Sequence, residues 1–192
     1  MFIDHLLSAD INNNPWPHVI IDPVFDPDDW KSIVETAGQI SSEKFETGFH
    51  NKGSGDDTTS VGPARTRQLI NNIMQQLSVN CSEILNKFNV YDKTVEYKVK
   101  CSWGITVNSS YKIHADNVAK ALTVLIYISP ETAIGTLLYT KKDPEAYHST
   151  VPWKPNSALI FAPDQEKTWH SYHHNSDTPR LTLMFHLKKE EK

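Results

Sequence analysis

Tyr111-Lys112-Ile113-His114-Ala115-Asp116, followed by Ala121-Leu122-Thr123-Val124-Leu125-Ile126-Tyr127-Ile128, is the stretch that decides the fold. The first part alternates like a short strand, and the second is a β-rich run ended by Ser129-Pro130. Downstream the series continues with Gly135-Thr136-Leu137-Leu138-Tyr139, Ser157-Ala158-Leu159-Ile160-Phe161, Trp169-His170-Ser171-Tyr172 and Arg180-Leu181-Thr182-Leu183-Met184-Phe185. Upstream, Val95, Tyr97, Val99, Cys101, Trp103 and Ile105 alternate with polar residues and predict a long strand. Short strands separated by turn residues predict a β barrel or sandwich.

Alternate residues of a strand point to one face, so His114 and Asp116 are expected to converge on one metal ion, with His170 as a third ligand. Two histidines and one carboxylate form the facial triad of non-haem Fe(II) sites, which leaves coordination positions open. The triad alone also admits a zinc hydrolase or a non-catalytic, cupin-like metal- or metabolite-binding module. Arg180 follows His170 on the final strand, where a guanidinium can hold a carboxylate by two parallel hydrogen bonds. Burying it without an anion would be costly, so it either holds a ligand or pairs with a structural acid. Thr123, Leu125 and Tyr127 share one strand face, and Arg180 and Thr182 share another. If both faces line the barrel, the Tyr127 and Thr182 hydroxyls join Arg180 around one carboxylate; otherwise Tyr127 is ordinary core. His173 and His174 read as a solvated turn, and His148 and His186 as surface or packing residues.

These motifs resemble the Fe(II)/2-oxoglutarate-dependent dioxygenases, particularly the prolyl 4-hydroxylase-like branch. The resemblance begins at Pro17-His18-Val19-Ile20-Ile21-Asp22-Pro23-Val24-Phe25 and is densest from Tyr111 to Leu187. It implies a mainly β fold with flanking helices (α+β), a double-stranded β-helix or cupin-like jelly roll. It implies Fe(2+) on His114, Asp116 and His170, with O2 and the cosubstrate 2-oxoglutarate, and admits ascorbate as a further cofactor. Arg180 would pair with the distal carboxylate of 2-oxoglutarate, with Tyr127 and Thr182 beside it. The implied reaction is hydroxylation of a substrate C–H, first of all in a peptidyl proline, coupled to decarboxylation of 2-oxoglutarate to succinate. A free amino acid or small metabolite is the alternative substrate. The chain departs from the family at Ile134-Gly135-Thr136-Leu137, where a Gly-Gly turn is common. Nucleobase demethylases of this fold carry a second arginine where this chain has His186, which makes a nucleic-acid substrate the less expected one. Halogenases lack the carboxylate ligand that Asp116 supplies.

Composition agrees with a single globular domain over residues 1–192: hydrophobic content is 39%, charged content 22% and net charge −4. Residues 1–92 are expected to be helical support with a loop, and 93–188 the β-helix core. No dense basic stripe marks a nucleic-acid binder, and no apolar run is long enough for a membrane span. Cys81 and Cys101 lack CxxC spacing, and the N-terminus lacks signal-peptide character, so a cytoplasmic location is expected. Partner proteins are not legible beyond a peptide, protein or small-molecule substrate.

Asp26-Pro27-Asp28-Asp29 is a helix start, with Trp30, Ile33, Val34 and Ala37 at helical spacing. A second helix is expected from Ala64 to Phe88, kinked or split near Asn80-Cys81-Ser82. The polar, Gly-rich segment Gly48 to Pro63 is expected to be either a lid that excludes water or a surface loop. Thr140 to His148 is a candidate wall of the substrate mouth.

Overall fold

The structure, a computed structural model, describes residues 2–52 and 61–190. The chain runs through α1 (Phe2–Ser8), β1 (His18–Ile21), α2 (Pro27–Ser41), β2 (Gly48–Lys52), α3 (Ala64–Val79) and α4 (Cys81–Lys87). It then enters β3 (Tyr97–Val107), β4 (Ser109–His114), β5 (Lys120–Ser129), β6 (Thr136–Tyr139) and β7 (Tyr147–Val151). It closes with β8 (Ala158–Phe161), β9 (Trp169–His174) and β10 (Arg180–Lys189).

Two antiparallel sheets face each other: a six-stranded sheet ordered β1-β8-β5-β10-β3-β2 and a four-stranded sheet ordered β4-β9-β6-β7. From β3 onward the chain crosses repeatedly between the sheets, with β3, β5, β8 and β10 on the larger and β4, β6, β7 and β9 on the smaller. That is the jelly-roll topology implied by the family resemblance, and one form of the barrel or sandwich expected from the strand pattern.

The larger sheet is covered on both faces. Leu181, Leu183, Phe185 and Leu187 of β10, with Cys101, Trp103, Ile105 and Val107 of β3, join the core built with the helices. The helices reach the sheet through α3 on β3 and β10 and α2 on β5. The opposite face of β10, from Arg180 through Thr182 and Met184 to His186, lines a cavity between the sheets. Period-2 alternation therefore sorts β10 into a packed face and a functional face.

Helix α2 starts as its sequence dictates: the Asp26 side chain accepts from the Asp29 N–H at 2.9 Å and Pro27 occupies the first turn. Its buried stripe is Ile33, Ala37 and Ile40 with Ser32 and Thr36, whereas Val34 is 45% exposed. Ser32 and Thr36 are buried because their hydroxyls meet Thr66 Oγ1 of α3 at 2.8 and 2.9 Å. The expected second helix is two helices, broken at Asn80, whose side chain donates to the Gln76 carbonyl at 2.8 Å. An asparagine that bonds the preceding turn offers the backbone an alternative to continuing the helix.

Other differences are local. Strand β3 begins at Tyr97, because the Val95 N–H closes a turn onto the Asp92 carbonyl. Helix α1 was not expected; Phe2, Ile3 and Leu6 bury one face of it, and Lys87 Nζ donates to the Leu7 and Ala9 carbonyls at its end. Within the expected lid segment, Gly48–Lys52 is instead an edge strand paired with β3; residues 53–60, the heart of that reading, lie outside the described residues. At Gly135 the requirement is space, not an unusual angle: a Cβ there would lie 1.8 Å from the Val151 carbonyl oxygen. No helix among the described residues is long and apolar enough to cross a membrane.

Candidate active site

His114 ends β4 and stands directly across from His170 of β9 in the strand pairing. Cross-strand partners project to the same face, and the two ring centroids lie 4.2 Å apart. Asp116 lies just past the end of β4, and candidate ligand atoms of His114, Asp116 and His170 fall within 4.8 Å of one another. The three predicted ligands are thus brought together at the edge of a cavity of about 480 Å³ between the sheets.

Both imidazoles are held in one orientation. His114 Nδ1–H donates to the Lys112 carbonyl and His170 Nδ1–H to the Thr168 carbonyl, each at 2.9 Å. A carbonyl can only accept, so Nδ1 carries the proton on both rings and each Nε2 presents a bare lone pair. Burial lowers both pKa values, His170 to about 4, so both rings are neutral near pH 7.

Asp116 is buried and held at both oxygens: Lys120 Nζ donates to Oδ1 at 2.7 Å and Thr123 Oγ1 to Oδ2 at 2.6 Å. Gln165 Nε2 donates to its backbone carbonyl. Burial alone would push the carboxyl up. The Lys120 ammonium, His170 and the two side-chain hydrogen bonds outweigh burial and hold it well below the usual carboxylate range. Because Thr123 gives its proton to Asp116, its oxygen accepts from His186 Nδ1–H at 3.2 Å. His186 is accordingly a buried residue of the cavity wall, linked through Thr123 to Asp116. His148 is exposed, whereas His174 is buried, its Nε2 against the Thr178 carbonyl at 2.6 Å.

Arg180 opens into the same cavity. Its side chain is flanked by two aromatic rings, with Cζ 4.4 Å from the Trp153 centroid and 4.3 Å from that of Tyr172. The residue is 2% exposed, and its Nε and Nη2 have no hydrogen-bond partner among the described residues. Among the described residues no acid forms an ion pair with it, so a structural salt bridge is not what accounts for its burial. Burial lowers its pKa, partly offset by Tyr127 and Tyr172. A buried guanidinium with unused N–H donors facing a cavity is a receptor for an anion.

Thr182 is the next inward residue of β10 and also lines the cavity; among the described residues its hydroxyl reaches only the Gly104 carbonyl, at 3.5 Å, which leaves it essentially unengaged. The close approach needs Gly104, since a Cβ there would lie 2.7 Å from Thr182 Oγ1. Tyr127 is fully buried in a smaller core cluster with Trp16, Leu138 and Phe161. Its hydroxyl meets Thr136 Oγ1 at 2.7 Å, and it is Thr136 that lines the cavity. Of the segment from Thr140 to His148, no residue lines the cavity.

Sequence reasoning missed Lys120, Thr136, Trp153 and Tyr172. Tyr172, beside His170, carried a signal: an aromatic residue on the same strand as a ligand. The donor set fits a divalent metal, and the orphaned Arg180 fits a carboxylate.

No family model and no curated protein matches the sequence. Solved structures do match. A Pseudomonas putida prolyl-4-hydroxylase aligns over 99% of this chain and 98% of its own, with TM-score 0.62 and 12% identity. A Trichoplax adhaerens prolyl hydroxylase, in complex with a hypoxia inducible factor oxygen degradation domain peptide fragment, aligns over 98% and 87%, with TM-score 0.65 and 14% identity. A 2OG-Fe(II) oxygenase family oxidoreductase from Burkholderia pseudomallei aligns over 89% and 84%, with TM-score 0.57 and 14% identity. The chain shares the fold of these oxygenases over nearly its whole length.

Proposed function

We propose that the protein is an Fe(II)- and 2-oxoglutarate-dependent dioxygenase that hydroxylates a substrate C–H. The observation that carries this reading is the buried Arg180, with Nε and Nη2 unpaired among the described residues, opening into the same cavity as His114, Asp116 and His170. The two Nε2 lone pairs and the Asp116 carboxylate would hold Fe(II). Arg180 would bind the distal carboxylate of 2-oxoglutarate, with Thr182 as a further donor and the Tyr127–Thr136 hydroxyl pair beside it. With O2 as oxidant, the bound metal and cosubstrate would supply oxidative decarboxylation of 2-oxoglutarate to succinate and CO2, one oxygen atom going to succinate and the other to the substrate.

The chain's own contribution is positioning. Lys112 and Thr168 carbonyls fix the ring orientations, and Lys120 and Thr123 keep Asp116 ionised and aimed. Apolar Leu125 and Phe161 line the cavity and limit water there. A zinc hydrolase on the same ligands would leave Arg180 without a role.

For the substrate, the fold likeness to prolyl hydroxylases supports a peptidyl proline. A free amino acid or small metabolite is favoured by a different observation, the excess of lysines at the far end of the cavity. The dioxygenase reading is tested by iron-dependent consumption of 2-oxoglutarate with succinate release. Wild type is expected to show it and Asp116→Ala to abolish it; consumption independent of Asp116 or of iron overturns the reading.

A further inference from the structure

The cavity floor has two cationic ends. Across β3 and β10, Arg180 pairs with Thr106 at one end, and His186 pairs with Lys100 near the other. The inward positions of Thr182 and Met184 separate these rows, roughly 20 Å of strand between Arg180 and His186. Lys188 is the next inward residue beyond His186 and, like Lys100, lines the cavity. At this end Lys188 pairs across to Lys120 of β5, which holds Asp116, so the two lysines lie at the metal end of the floor, away from Arg180.

Two of the charges at the lysine end have no ion-pair partner among the described residues. Among the described residues, Lys100, Lys120, Arg180 and Lys188 line the cavity against Asp116 as its one acid, in a chain of net charge −4. Lys120 is committed to Asp116 at 2.7 Å, and nearby Lys98 to Glu190 at 3.4 Å. Lys100 and Lys188 form no ion pair with any described residue. Fe(II) and doubly charged 2-oxoglutarate cancel each other, so loading the site leaves this surplus in place. A concave surface with low-dielectric walls and one sign of charge selects a ligand of the opposite sign.

We propose that Lys100 of β3 and Lys188 of β10 bind the carboxylate of the substrate, which is a small organic acid such as a free amino acid rather than a neutral peptide segment. The acid is gripped at the lysine end, and its body extends past His186 toward the metal ligands. This rests on the dioxygenase reading, and it assigns the substrate class of that site.

The test is calorimetric binding to anaerobic protein loaded with Fe(II) and 2-oxoglutarate. The probes are the free proteinogenic amino acids and simple monocarboxylic acids, each beside its primary amide, up to millimolar concentration, with N-acetylprolyl peptide amides as neutral competitors. At least one free acid is expected to bind at least tenfold tighter than its amide. K100Q/K188Q should weaken that acid about ten- to hundredfold, the loss expected for hydrogen bonds to a charged group, and leave 2-oxoglutarate affinity within about twofold. Both lysines are at least partly exposed, so the variant is expected to fold; its melting curve checks this. The proposal is overturned if no acid outbinds its amide, if the double variant binds the acid as wild type does, or if the variant loses 2-oxoglutarate instead, which would make the lysines steering charges for the cosubstrate. Failure of the dioxygenase reading looks different: wild-type protein would not bind 2-oxoglutarate at all.

Discussion

Replacing Arg180 by methionine should separate cosubstrate binding from folding, because in the ligand-free protein the guanidinium is buried with Nε and Nη2 unpaired. Each unpaired buried donor costs about 1–3 kcal/mol, more when the group is charged. The stacking on Trp153 and Tyr172 returns about 0.5–2 kcal/mol per ring. Methionine fills much of the volume without either contribution, so metal-free Arg180→Met is expected to be as stable as wild type, or up to about 2 kcal/mol more stable. Binding behaves oppositely. Two charge-assisted hydrogen bonds to a carboxylate are each worth about 1.5–3 kcal/mol, so their loss should raise the 2-oxoglutarate Kd by roughly two to four powers of ten. Chemical denaturation of the metal-free protein gives the first quantity, and anaerobic titration of the iron-loaded protein gives the second. If Arg180→Met destabilises the metal-free protein by several kcal/mol while leaving the Kd within threefold, Arg180 is a structural residue and the argument from its orphaned donors is wrong.

Thr123→Val removes the hydroxyl that aims Asp116 Oδ2, and should weaken metal affinity about 10- to 100-fold in a Co(II) titration; unchanged affinity would show that Lys120 alone suffices. Gly104→Ala drives a Cβ to within 2.7 Å of Thr182 Oγ1 and 2.9 Å of Met184 Cε, so a stability loss of about 1–3 kcal/mol and weaker 2-oxoglutarate binding are expected, and a wild-type Kd would contradict this geometry. The metal-free protein should lose stability as the pH falls from about 6.5 toward 4. Burial depresses the folded-state pKa of His170 to about 4 and of His186 to about 3, so the unfolded chain binds these protons first. For His170 alone the loss is on the order of 3 kcal/mol, and a flat stability profile through that window would refute the buried neutral assignment.

The alternation Arg180, Thr182, Met184, His186 against Leu181, Leu183, Phe185, Leu187 was readable in the sequence, because a strand's period places these sets on opposite faces whatever surrounds it. The candidate triad was readable in part for a similar reason, since His114 and Asp116 are two positions apart; His170 was preferred among the nearby histidines because its spacing to Arg180 fits the family it resembles and because it sits in a β-rich run. What stayed hidden depends on contacts between distant segments. The carbonyls of Lys112 and Thr168 set the imidazole tautomers, and any residue type could have supplied them. Trp153 and Tyr172 flank Arg180 only because β9 and the segment after β7 fold over the end of β10. Tyr127 shares strand parity with Thr123 and Leu125, yet a register shift in the β5–β10 pairing beside Thr182 accompanies its burial in the smaller core cluster. The split at Asn80 was anticipated from its residue types, whereas the edge strand Gly48–Lys52 was not, since pairing with β3 overrides the turn-like composition around it.

The central claim is that one cavity holds Fe(II) on His114, Asp116 and His170 and 2-oxoglutarate on Arg180. The most direct measurement is the visible charge-transfer absorption of the anaerobic protein on addition of Fe(II) and 2-oxoglutarate, with His170→Ala and Arg180→Met alongside. A band in wild type, absent in His170→Ala and requiring far more 2-oxoglutarate in Arg180→Met, is the predicted result. Folded wild-type protein that retains Fe(II) but gives no band with 2-oxoglutarate would contradict the account.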